Sequence, residues 1–126
     1  MPATVRISNP RRLPETVRTL RRLGLRLAAD GPLTISPASS HLPGNMGPSA
    51  AVPPLLVPEA TTPARTLARL KKLGLASSAP FFAAGKPGQI NAALFAAACL
   101  AARDPKLRGA LDRFRSRQTS SVPSKP

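Results

Sequence analysis

The chain has 126 residues, which suits one domain, and its 42% hydrophobic content allows a modest core; with 3% aromatics, no Trp and no Tyr, that core must be built from Leu, Ala and Val. Nineteen Lys and Arg against five Asp and Glu give a net charge of +14, which invites anionic partners and leaves one histidine and five carboxylates for any acid–base chemistry. A single cysteine excludes an internal disulfide and a cysteine zinc cage, and no apolar run approaches the roughly 20 residues that span a bilayer.

Val5-Arg6-Ile7 reads as a short strand and Ser8 to Arg12 as the loop after it. Pro14 sits well in a first helical turn, Glu15 suits the positive helix start, and Gly24 stops the helix; Val17, Leu20 and Leu23 share one face, with Arg18, Arg21 and Arg22 mostly elsewhere. The Arg-rich, acid-poor stretch from Arg6 to Arg26 has the composition of an organelle transit peptide, but it reads better as folded structure. Leu25 to Ala28 is the next strand. Gly31 to Pro48 has the Pro, Gly and Ser content of a loop, and it contains His41, the sole histidine.

Leu55 to Val57 is an apolar strand fenced by prolines. Pro63 opens a helix over Ala64 to Leu73 that Gly74 closes. The strings TVRTLRRLGL (16–25) and TLARLKKLGL (66–75) are alike, which leaves a duplication open, but the stronger reading is that each is a helix–Gly–strand joint written by the same local rules. A strand is expected over Ala79 to Ala84 and a turn at Gly85-Lys86-Pro87-Gly88. The helix over Ile90 to Ala102 is apolar on nearly every face, so it must be covered by a core or by another subunit; Cys99 within it is expected to be a buried, inert thiol. Asp104 and Pro105 cap and open a last amphipathic helix striped by Leu107, Leu111 and Phe114 and ending near Arg117. The resulting organisation is one α/β domain over residues 1–118 and a disordered polar tail over 119–126. Alternation of strands and helices predicts a parallel sheet between helical layers.

Three stretches resemble the PurE family, the carboxyaminoimidazole ribonucleotide mutases and aminoimidazole ribonucleotide carboxylases of purine synthesis. Ser8-Asn9-Pro10-Arg11-Arg12-Leu13-Pro14-Glu15 is similar to a damaged Ser-Ala-His-Arg-Thr-Pro-Glu, and Ser39-Ser40-His41-Leu42-Pro43-Gly44 to the family's Ala-Ala-His-Leu-Pro-Gly. Gly85 to Gly88, Asn91 to Leu94 and Asp104 to Leu107 follow the family's ending. The resemblance implies a three-layer, flavodoxin-like fold that assembles into oligomers, lies in the cytoplasm and needs no metal or organic cofactor. It also implies a substrate phosphate held at strand ends by serines and an arginine, and a histidine that carries the proton during carboxylate transfer. On this chain, the substrate-binding candidates are Ser8, Arg11, Arg12, Ser39, Ser40, His41 and Leu42.

Where the pattern departs, it departs in the chemistry. Met1 stands a few residues before the family's second strand, so the fold is expected to lack the first strand–helix unit with its Gly-Ser-x-Ser-Asp loop. The shuttle position is taken by Pro10, Arg11 or Arg12, and a guanidinium cannot exchange a proton, although it holds phosphate well. His41 persists at a different position, as a ligand contact with a possible catalytic part. The expected function is a catalytically impaired PurE-like protein that binds a phosphorylated aminoimidazole ribonucleotide or pairs with itself or a catalytic paralogue. The alternatives are an active mutase or carboxylase, and a basic protein that binds nucleic acid without sequence preference.

Overall fold

In a computed structural model of the chain, which describes residues 3–38, 54–59, 62–76 and 82–122, four short strands form one sheet. β1 (Thr4–Ile7) forms where alternation predicts it: Val5 is fully buried and Arg6 is exposed. The chain then enters a single 3-10 turn, Pro10–Arg12, through Asn9, whose φ of 55° lies in the left-handed region that asparagine tolerates. α1 (Pro14–Arg22) starts on its proline and ends as Gly24 takes φ 85°. Leu13, Thr16, Leu20 and Leu23 recur at helical spacing as its buried stripe. Val17, expected on that face, is half-buried beside it, because the buried Thr16 takes the inward position.

β2 (Arg26–Leu27) pairs with β1, and β3 (Thr34–Ala38) pairs with β1 on its other side. β3 corrects the reading of Gly31 to Pro48 as loop. Thr34 and Ile35 are β-branched, Ile35 is fully buried, and the proline in the strand is harmless for a reason given below. β4 (Leu55–Pro58) pairs with β3 in register from Ile35 opposite Leu55 to Ala38 opposite Pro58, and all four of its residues are buried. The order is β2-β1-β3-β4 with every pair parallel, so the expected flavodoxin-like parallel α/β fold is what the chain adopts.

α2 (Pro63–Ala76) packs on β4. It runs through Gly74, so the second of the two similar strings is continuous helix and not a helix–Gly–strand joint. Of the strand expected over Ala79 to Ala84, residues 79–81 lie outside the described residues and 82–84 are not strand, although the Phe82 N–H donates to the Leu56 carbonyl at 2.9 Å. α3 (Lys86–Ala101) begins inside the expected turn, since Pro87 is as suited to a first helical turn as to a tight loop. α4 (Pro105–Ser121) is capped by Asp104, whose carboxylate accepts from the N–H groups of Lys106 at 3.1 Å and Leu107 at 3.2 Å. It extends past Arg117 into the stretch expected to be tail.

α3 is the centre of the helical layer, packing on α1, α4 and β4. Its buried face is almost all alanine: Ala92, Ala93, Ala96, Ala97 and Ala101. Alanine brings backbones close but buries little area, so these positions contribute far less than the roughly 1.5–3 kcal/mol of each buried Leu or Val. Among the described residues, its outer face is only partly covered: Phe95 is 45% exposed, and Cys99 is exposed, contrary to the expected buried thiol. Cys99 follows Phe95 by one helical repeat, which puts both on the side away from the alanine seam. Among the described residues, no helix is long and apolar enough to cross a membrane.

Candidate functional site

Open parallel sheets take ligands beyond the carboxyl ends of their strands, where the strand order reverses. Here β1 leads outward to β2 and β3 leads the other way to β4, so the reversal falls between β1 and β3. Ser8 stands directly after β1, half-buried, its N–H donating to the Ile35 carbonyl at 2.9 Å. In a parallel ladder alternate residues address the same neighbour. Leu33 and Ile35 present their carbonyls to β1, so Pro37 turns its nitrogen the same way, one step past Ser8. Having no N–H, Pro37 ends the β1–β3 ladder there while β3 and β4 stay paired to Ala38. The proline therefore opens the sheet at the reversal point. Ser39, Ser40, His41 and Leu42 lie outside the described residues; Ala38, which precedes them, ends β3 at this same edge.

Arg11 and Arg12 are consecutive, and the 3-10 turn sends them to different places. Arg12 lines a cleft of about 310 Å³ with Leu13, Val57, Pro58, Glu59, Gly85 and Gln89, between the 3-10 turn, the end of β4 and the start of α3. Its Nη1 lies 3.0 Å from Glu59 Oε1, with the two side chains 54% and 26% exposed. Arg11 lines a separate groove along α1. The two guanidinium groups expected at one anion site are thus on two sites.

Gln89 holds the cleft together. Its Oε1 accepts the Glu15 N–H at 3.0 Å, and its backbone carbonyl accepts the Thr16 hydroxyl at 2.7 Å, which satisfies the fully buried Thr16. The start of α1, which could otherwise hold an anion, is thereby engaged by the protein itself. In the cleft, Arg12 offers a guanidinium that can hold an anion, and Glu59, the carboxylate there, is engaged by it; Ser8 stands apart, at the end of β1 and outside the cleft lining. Sequence reasoning missed Glu59 and Gln89. Glu59 was findable as one of only five carboxylates, placed directly after an apolar strand. No local signal marks Gln89, whose partners are more than 70 residues away.

No family model matches the chain. The N5-carboxyaminoimidazole ribonucleotide mutase of Brucella melitensis biotype 1 is 34% identical over 91 residues, which cover 70% of this chain and 56% of the relative, so the chain spans little more than half the length of that curated protein. A crystal structure of a Treponema denticola PurE2 variant superposes with a TM-score of 0.67 over 95% of this chain and 93% of its own at 15% identity, a likeness of fold.

Proposed function

From the premise that this chain is a divergent relative of the PurE family, we propose that it binds a phosphorylated aminoimidazole ribonucleotide at the open edge between β1 and β3 and does not carry out carboxylate transfer. The observation that supports this best is the content of the cleft. Arg12 stands where the family's pattern has its proton carrier or beside it, in the 3-10 turn that shares the cleft with the end of β4, and offers a forked donor for phosphate. Ser8 adds a hydroxyl at the end of β1, and Ser39, Ser40, His41 and Leu42, the next residues in the chain after β3, complete the proposed contact set. An entering phosphate takes Arg12 from Glu59, a half-exposed ion pair worth at most about 1 kcal/mol and therefore easily exchanged.

Binding is measured by calorimetry with carboxyaminoimidazole ribonucleotide, and turnover by following its isomerisation. Arg12→Ala is expected to weaken binding at least tenfold. Arg103→Ala, which removes the same charge at the opposite, N-terminal edge of the sheet, is expected to leave it nearly unchanged. Isomerisation above background, or equal losses in both variants, overturns the proposal.

Assembly belongs to the same reading. The open face of α3, with Phe95 and Cys99, supports contact with a second copy or with a catalytic paralogue in the cytoplasm.

A further inference from the structure

A second concave surface lies apart from the strand-end cleft. It is a groove of about 670 Å³ that follows α1, floored by Pro14, Val17 and Leu27 and rimmed by Arg11, Arg18, Arg21 and Arg22. The floor is wholly aliphatic, and the rim is wholly cationic. Arg18 is bound to Glu15 at 2.9 Å, and Arg22 lies over the Phe114 ring, 5.4 Å from its centroid, which pins it toward α4. Among the described residues no ion pair reaches Arg11 or Arg21, and both are exposed.

We propose that this groove docks an acidic peptide segment of another protein, one that seats an aliphatic side chain on the Pro14–Val17–Leu27 floor between carboxylates held by Arg11 and Arg21. Three observations fix that choice of occupant. Another copy of this chain is poorly equipped for it: it has five carboxylates, of which Glu15, Glu59 and Asp104 are already engaged by Arg18, Arg12 and the first turn of α4. A nucleic acid would match the guanidinium rim but not the floor, which offers no aromatic ring for a base to stack on. An acidic segment with an apolar anchor uses both, and the nine-residue length of α1 gives it about 13 Å of helix to lie along. Arginine suits the role because its fork meets a carboxylate through two parallel hydrogen bonds.

The test is fluorescence anisotropy on the full chain with three labelled probes: a short peptide whose central leucine is flanked by Glu and Asp, the same peptide with serine for leucine, and oligodeoxythymidine. The leucine peptide is expected to bind at least tenfold more tightly than the serine peptide. The exposed double variant Arg11→Ala with Arg21→Ala removes both holders and keeps α1 helical, because position 11 precedes the helix and alanine at 21 is the best helix former, and is expected to weaken that binding at least tenfold; Arg103→Ala is expected to weaken it less than threefold. Circular dichroism confirms that the double variant is folded. Equal binding of the leucine and serine peptides overturns the proposal, and so does equal loss in the double variant and Arg103→Ala. Preferential binding of oligodeoxythymidine that the double variant abolishes also overturns it and makes the groove a nucleic-acid surface.

Discussion

Gly88 has no room for a β-carbon. One built there lands on the Ala83 carbonyl, a backbone atom that cannot move aside, so the sharp entry from Phe82–Ala84 into α3 requires glycine at this point. Gly88→Ala is expected to destabilise the fold by about 3 kcal/mol, lowering the melting midpoint by roughly 10 °C. Gly109 is the contrasting case: it lies within α4, where an added methyl meets only the flexible end of Arg113 at 3.3 Å. Gly109→Ala is expected to stabilise by about 0.5–1 kcal/mol through helix propensity. Calorimetric melting of the two variants decides it: if Gly88→Ala melts with the parent, the close approach at Ala83 does not exist in solution.

At the level of elements, α3 is a helix with one alanine face turned in and one face turned out. Phe95 meets Phe82 edge-on at 5.7 Å between ring centroids, which leaves an aromatic pair beside the exposed Cys99. In dilute protein Cys99 is expected to react with a thiol reagent without denaturant. If α3 is the assembly face, raising the protein concentration slows that reaction, and Phe95→Glu restores it. A thiol silent at every dilution would mean that the face is closed.

The same elements show what the sequence made legible. Helix starts were readable from Pro14, Pro63 and the Asp104–Pro105 pair because caps and first-turn prolines act locally. β3 was not, because its Pro37 and Ser36 look like loop until the ladder on either side is known; a proline is tolerated there only because β1 stops short of it. For the candidate site, Arg12 is legible in the sequence as part of a motif, whereas the separation of Arg11 from Arg12 depends on a turn entered through a left-handed Asn9. The inward place of Thr16 likewise depends on Gln89, far along the chain.

Across the whole molecule, the charge of +14 guarantees some attraction to any polyanion. That attraction is expected to be indifferent to sequence and to collapse with salt, by about a hundredfold or more between roughly 50 and 200 mM. Filter binding with oligonucleotides of differing sequence tests it, and sequence-preferring affinity that survives the higher salt would raise nucleic acid from an alternative to first place among the partners. The two concave surfaces also share one joint. Gln89 lines the strand-end cleft with the same side chain that grips the first turn of α1, and α1 carries the arginine groove on its other flank. If a guest in the cleft draws this amide away, one end of α1 loses that hold and the spacing of the rim changes with it. In that case reciprocity requires that the proposed peptide and the proposed nucleotide change each other's affinity by the same factor, and adding the two together is expected to show it.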